Sequence, residues 1–233
     1  MTIEPATARA DFEVVTMSGQ PTRTDGVHAT REAILAASEQ LFAEKGVYTA
    51  SHRQISEAAG QGNNAAVNYH FGTKQDLLRA LLRQRHERIE QIRAPMVAEV
   101  TGSTDIRDWI ACMVRPTTEH LAELGAPTWF GRLTAQLSTD PQLHEIMAEE
   151  SRSAASLMRA IDGMNRCLPN LPVEVRRERS DMARELTVHM IAQRERAIAQ
   201  GLPTSRATWQ DAATGLIDGL VGMWHAAFTQ PQE

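Results

Sequence analysis

The stretch from residue 51 to 74 constrains the fold of this chain more than any other segment, because several signals of helix boundaries converge in it. Ser51 and Gln54 have the spacing of a capping box, in which a hydroxyl and a side-chain amide satisfy backbone groups at the start of a helix. Gly60, closely followed by Gly62, supplies the positive φ that a helix end and a sharp turn require. The pattern predicts a short helix that ends near Gly60.

The second half of this stretch predicts another short helix. Either Asn63 or Asn64 can cap it, and Gly72 breaks it directly after Phe71. Two short helices joined by a glycine-containing turn form a helix-turn-helix.

The polar residues at the end of that second helix are suited to DNA. An asparagine such as Asn68 can bond an adenine edge in the major groove, whereas Tyr69 and His70 are donors for phosphate oxygens. Thr73 begins a further helix, which places Lys74 in a first turn whose free N–H groups favour an anion. The predicted DNA-contacting residues are Ser51, Arg53, Asn63, Asn64, Asn68, Tyr69, His70 and Lys74.

At these residues the chain resembles the tetracycline-repressor (TetR) family of bacterial transcription regulators. The family pattern places Tyr-x-His-Phe or Tyr-His-Phe before small-x-Lys, and the run from Tyr69 to Lys74 fits it. The resemblance covers Thr30 to Leu82 and includes a helix that ends in Leu41–Gly46, while Ala50 and a longer turn at Gln61–Asn64 depart from the pattern. It implies a dimeric transcription regulator. Because one short helix contacts too few bases for useful specificity, we predict a homodimer that binds a palindromic double-stranded DNA operator and is released by a small-molecule effector.

The remaining chain reads as helices without β-alternation, so we predict an all-α protein of about nine helices. We divide it into a flexible amino-terminal tail (1–27), a three-helix helix-turn-helix domain (28–74) and a larger helical effector-binding and dimerisation domain (75–230). The predicted helix breaks beyond the long fourth helix are Gly125–Pro127, Asp140–Pro141, Pro169–Pro172 and Gly201–Pro203.

The last predicted helix, Ser205 to Phe228, has a wide apolar face with Gly215 and Gly219 on it. A glycine inside a helix costs about 1 kcal/mol relative to alanine, so the close approach of another helix is a reasonable compensation. That helix can belong to the same subunit or to a partner, and the TetR resemblance favours a dimer that also uses Val173–Gln200. The predicted interface residues are Gly215, Gly219, Leu220 and Trp224.

A methionine-rich middle segment is the candidate for a ligand pocket, because Pro116 lies inside a predicted helix and would loosen its packing. An ordinary core is the alternative interpretation of the same apolar stripe. The predicted ligand-binding residues are Trp109, Met113, His120, Trp129, Phe130 and Met147, with Met158 and Gln136 as further candidates.

Composition limits the other function classes. The net charge of −5 argues against binding of nucleic acid through bulk positive charge, so the prediction of DNA binding depends on the motif. Cys112 and Cys167 lack metal-ligand or redox spacing, so we predict no metal and no cofactor. The start of the chain has no signal-like pattern and Asp218 and His225 interrupt the most apolar stretch, which predicts a cytoplasmic protein without a membrane partner.

No nucleophile elbow, phosphate loop, zinc-protease motif or catalytic carboxylate pair occurs in the sequence, so no catalytic residue is predicted. A ligand-responsive DNA-binding repressor is the leading hypothesis. A DNA-binding protein without an effector and a helical enzyme without a known motif are the alternatives. Effector, operator and regulated genes do not follow from the residues, and repression and activation both stay open.

Overall fold

The computed structural model describes residues 23–63, 65–168 and 170–229, and all of the regular structure in these ranges is α-helical. The all-α prediction is confirmed. The described helices are α1 (Arg23–Lys45), α2 (His52–Ala58), α3 (Ala66–Phe71), α4 (Lys74–Glu99), α5 (Ile106–Leu124), α6 (Phe130–Thr139), α7 (Pro141–Arg152), α8 (Ala155–Arg166), α9 (Val173–Ala199) and α10 (Trp209–His225).

Helix boundaries differ from the sequence prediction at the amino-terminal end, in the middle and in the last helix, which spans Trp209–His225 instead of Ser205–Phe228. Residues 23–27 were predicted as part of a tail but belong to α1, while residues 1–22 lie outside the described residues. The segment after Pro141 was predicted as one helix, yet it breaks into α7 and α8 at Ser153–Ala154. Ala154 has ψ 93°, an extended value that ends the helix although neither glycine nor proline occurs at this position. The break explains why the structure has ten described helices instead of the nine predicted.

The first hydrophobic cluster joins the helix-turn-helix to the rest of the protein. It contains Phe42 of α1, Ile55 of α2 and Val67 of α3, none of which is exposed to solvent. Leu133 and Leu137 of α6 belong to the same cluster. The hydrophobic core of the helix-turn-helix therefore continues into α6 and α7, and the domain boundary predicted at residue 74 does not separate two hydrophobic cores.

The second hydrophobic cluster lies at the opposite end of α4. It is built from α5, α8 and α10, with Ile110, Ala160 and Ile217 among its buried members. Helix α10 packs on α5, and α6 packs on α9. Helix α4 contributes to both clusters, since Leu81 belongs to the first and Val97 to the second.

Candidate nucleic-acid interface and internal pocket

The helix-turn-helix begins as predicted, with a capping box at α2. The backbone N–H of Gln54 donates to the Ser51 hydroxyl over 3.2 Å, and the Ser51 N–H donates to the Gln54 side chain over 3.0 Å. The helix ends at Ala58, and Gly60 follows with φ +67°. Arg53 lies on the exposed face of α2, where it forms an ion pair with Glu57 at 3.2 Å.

Helix α3 begins later than a cap at Asn63 would place it. The N-cap position is Ala65, which has no side-chain cap bond, and the first helical residue is Ala66. The Asn63 side chain accepts the Ala65 N–H over 2.9 Å, so it stabilises the turn that precedes the helix. Asn64, the other predicted cap and DNA contact, lies outside the described residues.

The exposed side of α3 carries two of the predicted DNA contacts. Val67 is completely buried and anchors the helix, while Asn68 is exposed and Tyr69 is 84% exposed. The Asn68 side-chain oxygen lies 2.5 Å from Nδ1 of His52, the first residue of α2. This bond fixes the orientation of the Asn68 amide, and sequence reasoning missed His52 because it lies on the other helix.

Arg31 of α1 holds the carboxyl end of α3. Its Nη1 donates to the backbone carbonyl of His70 over 3.1 Å, and its guanidinium lies 4.2 Å from the centre of the Phe71 ring. The Arg31 guanidinium therefore contacts both a carbonyl at the carboxyl end of α3 and the face of an aromatic ring, and both contacts favour a positive charge. Gly72, with φ +78°, ends the helix as predicted.

Lys74 bridges the start of α4 to the loop between α1 and α2. Its Nζ donates to the backbone carbonyl of Tyr48 over 2.9 Å, and partial burial lowers the pKa of Lys74. An ammonium has further donors, which remain able to meet a phosphate. Thr73 caps α4 with Asp76, and the hydrogen bonds from Thr73 lower the pKa of the Asp76 carboxyl.

Tyr48 also touches the second half of the protein. Its hydroxyl lies 3.3 Å from Oδ1 of Asp140, the residue that caps α7. Gln136 of α6 donates to the carbonyl of Ala43 over 2.7 Å, so it contacts α1 instead of lining a pocket. The loop that meets Lys74 is thus in direct contact with α6 and α7.

An internal pocket of about 500 Å³ lies between the two hydrophobic clusters. It brings together three of the predicted ligand contacts, Met113, Phe130 and Met147, and also Met158. Walls come from α4, α5, α6, α7, α8, α9 and α10. Its volume is in the range of small-molecule sites.

Trp109, His120 and Trp129, which were also predicted as ligand contacts, do not line this pocket. Trp109 is buried against Gly163, where a Cβ atom would lie only 2.3 Å from the indole ring. His120 is 4% exposed, and neither ring nitrogen has a hydrogen-bond partner among the described residues. Trp129 stacks under the guanidinium of Arg132, 4.1 Å away.

Burial lowers the pKa of His120 to about 4, and the positive charge of Arg85 acts in the same direction. Burial likewise lowers the pKa of His86, which lines the pocket. Both imidazoles are therefore neutral near pH 7. The apolar residues at helical spacing in the sequence predicted the region of the pocket, but they did not predict which of its residues face the cavity.

The predicted interface residues of α10 divide between two environments. Leu220 and Trp224 are 3% and 2% exposed and line the internal pocket, so they pack inside the subunit. Gly219 is exposed, and a Cβ atom added there would meet nothing within 4 Å. Gly215 and Gly219 line a separate groove of about 480 Å³ between α9 and α10.

Neither a metal-binding cluster nor a membrane-spanning helix occurs in the part of the chain that the structure describes. No group of three or more His, Cys, Asp or Glu residues there is arranged to hold a metal ion. None of the helices described is both long and apolar enough to cross a membrane.

Known proteins share both parts of this architecture. The profile of "Bacterial regulatory proteins, tetR family" matches residues 34–81, and that of "Tetracyclin repressor-like, C-terminal domain" matches residues 111–223. Two regulators from Pseudomonas putida, the probable HTH-type transcriptional regulator ArpR and the HTH-type transcriptional regulator TtgR, are each 32% identical over 95 residues. The aligned segment covers 41% of this chain and 42% of each relative.

Solved structures match over a larger part of the chain. A TetR family regulator from Marinobacter aquaeolei VT8 has a TM-score of 0.60 at 16% identity, covering 86% of this chain and 97% of that one. The fatty acid degradation regulator FadR from Bacillus halodurans has a TM-score of 0.59 at 17% identity, covering 83% and 95%. These likenesses concern the fold. Because both parts of the family architecture match in the same order along the sequence, the chain belongs to the TetR family of bacterial regulatory proteins.

Proposed function

We propose that the protein is a ligand-responsive transcriptional regulator, a repressor that binds a palindromic DNA operator as a homodimer and leaves it when a small molecule binds. The observation that carries the proposal is the exposed face of α3, where Asn68 and Tyr69 face solvent on a helix held from behind by Val67. An exposed second helix of a helix-turn-helix is the element that enters a major groove.

The contacts around α3 support separate roles for its neighbours. The His52 bond orients Asn68, which suits a residue that reads a base edge. Lys74 and Tyr69 carry donors for phosphate oxygens, which would set the position of the helix on the duplex. Ser51, Arg53, Asn63 and His70 belong to the same helix-turn-helix and complete the proposed contact surface.

Dimerisation is proposed through α9 and α10. Met182, Leu186 and Met190 of α9 recur at four-residue spacing and are 49%, 39% and 45% exposed. Exposed apolar residues in a row on one helix face indicate a protein contact. Apart from the backbone of α10 itself, no atom of the described residues lies within 4 Å of a Cβ atom added at Gly219, so packing inside the subunit does not require a glycine there. Glycine weakens a helix, and the close approach of a partner helix would explain why this position has no side chain.

Release by a small molecule is supported by the position of the pocket. The pocket touches Phe130 and Met147 of the first hydrophobic cluster and Ile110 and Trp224 of the second. A ligand between the clusters would alter how α6 and α7 pack against the helix-turn-helix. Changing the population from 1:99 to 99:1 requires a ligand that prefers the released form by about 5.5 kcal/mol.

The proposal involves no catalytic residue, metal or cofactor, and it places the protein in the bacterial cytoplasm, where the chromosome lies. The test is fluorescence anisotropy with labelled fragments of the DNA upstream of the protein's own gene. A complex with one fragment that does not dissociate when unrelated competitor DNA is added supports the proposed regulator function. Binding of all fragments with equal affinity would contradict it.

A further inference from the structure

The charged and titratable residues that line the internal pocket are all basic. Among the described residues, the lining includes Arg93, Arg152, Arg184, His86 and His144, but no aspartate or glutamate. The apolar remainder is rich in methionine. A cation entering such a cavity would lose its hydration without meeting a carboxylate, which is strongly unfavourable.

Two of these basic residues lie on the α4 wall. His86 and Arg93 are two helical turns apart, so they face the same side of α4. Arg152 and Arg184 are more exposed and have surface partners, Glu145 at 2.8 Å and Asp181 at 3.0 Å. The buried polar groups of the pocket, Arg93 and Nδ1 of His86, therefore lie on its α4 wall.

Arg93 retains donor capacity toward a ligand. It is 5% exposed, its Nε donates to the carbonyl of Cys112 over 3.1 Å, and its Nη1 is paired with Glu90. No hydrogen bond among the described residues uses Nη2. Nδ1 of His86 is buried and likewise has no hydrogen-bond partner among those residues.

We propose that the pocket binds a small amphipathic anion, with its carboxylate or equivalent acidic group at Arg93 and His86 and its apolar body among the methionines. The inference rests on the proposed function, because it names the chemical class of the effector. Met113 of α5, Met147 of α7 and Met158 of α8 form the apolar walls, and flexible methionine side chains adapt to different hydrocarbon shapes.

The test uses ligands that share a body and differ in head-group charge. Decanoate, 1-decanol and decylammonium are titrated into the full chain at pH 7, below the solubility limit of decanol and the micellar concentrations of the two ions, and binding is measured by calorimetry. We expect decanoate to bind about tenfold more tightly than decanol and decylammonium to bind weakest, because a charge-assisted bond is stronger than a neutral one. Equal affinities, tighter binding of decylammonium or no binding of decanoate at about 1 mM would overturn the proposal.

A protein variant locates the acidic group. The double variant Glu90→Gln with Arg93→Gln removes both charges of the pair, so no unpaired buried charge remains. It should reduce the advantage of decanoate over decanol about tenfold. Arg88→Gln, the matched control at an exposed position of α4 outside the pocket lining, should keep the advantage. If the double variant does not fold by circular dichroism, the ligand series on the unchanged protein still decides.

DNA binding separates this inference from the function it rests on. If decanoate binds with the expected preference but leaves operator affinity unchanged, the ligand class is supported and the release mechanism is wrong. If decylammonium binds more tightly and releases DNA, the ligand class is wrong while the regulator proposal is supported.

Discussion

Nε of Arg93 on α4 donates a hydrogen bond to the backbone carbonyl of Cys112 on α5 over 3.1 Å. This carbonyl lacks the usual helical donor, because Pro116, four residues later, has no N–H. The same guanidinium pairs with Glu90, which accepts the N–H and hydroxyl of Ser156 at the start of α8. One buried arginine thus connects three helices around the pocket.

Arg93→Leu should lower the free energy of unfolding by about 3–5 kcal/mol, because Glu90 would remain partly buried without its counter-charge. In a Pro116→Ala background the same substitution should cost about 1 kcal/mol less, since the alanine N–H then satisfies the Cys112 carbonyl. Urea unfolding of the four proteins measures this coupling. Strictly additive costs would show that the proline and the arginine are independent.

Gly163→Ala should destabilise the protein by about 1–3 kcal/mol, because the new Cβ atom would lie 2.3 Å from the Trp109 ring. Gly222→Ala is the matched control, since a Cβ atom there meets nothing within 4 Å. It should leave stability unchanged or raise it by up to about 1 kcal/mol. Thermal unfolding compares the two, and a stable Gly163→Ala protein would contradict the close packing of α8 on Trp109.

Stability should fall as the pH drops from about 6.5 to about 4, because His120 has a pKa of about 4 in the folded protein and an ordinary value near 6.5 when unfolded. In this window the unfolded chain binds more protons, so acid favours unfolding. The shift corresponds to at most about 3 kcal/mol. Urea midpoints measured across this range should change less in His120→Asn, and an unchanged pH profile would exclude His120 as a cause.

Lys74→Ala should weaken binding to all DNA sequences and reduce the slope of log affinity against log salt by about one unit, because it would remove the one phosphate contact proposed for Lys74. Salt titrations on operator and unrelated DNA measure both effects. Since Lys74 also holds the Tyr48 carbonyl, Lys74→Arg serves as the control that keeps a donor there. Altered sequence preference would contradict a phosphate role.

Asn68→Ala should cost about 1–3 kcal/mol on the preferred operator and relax the preference at one base pair. His52→Phe should have a smaller effect of the same kind, because it removes the bond that orients the Asn68 amide without removing the amide itself. Binding to a panel of single-base operator variants distinguishes the two roles. An unchanged preference in both proteins would assign base reading to other residues.

Gly219→Leu should weaken the dimer, because the added side chain would project from the exposed face of α10 where the partner helix is proposed to lie. Sedimentation of the protein at micromolar concentration measures the change. The subunit itself should stay folded, since nothing in it occupies that space. A native dimer that Gly219→Leu leaves unchanged would remove this face from the proposed interface.

The helix-turn-helix could be predicted closely because its signals are local. The cap at Ser51 and the positive φ at Gly60 act within a few residues, and the family pattern places Tyr69 and Lys74. The contacts of the pocket are not local. Whether Trp109 faces a cavity or a neighbouring helix depends on Gly163, which is far away in the sequence. The α7–α8 break has no glycine or proline to reveal it.

The shared apolar core of the helix-turn-helix and α6 and α7 has a consequence for engineering chimeric sensors. Exchanging only residues up to the start of α4 would place a foreign α1 against Leu133 and Leu137, which share a buried core with the native α1. A recombination point that respects the packing would carry α6 and α7 along with the new DNA-reading segment. The smallest transferable unit is therefore discontinuous in the sequence, although the motif that identifies it is contiguous.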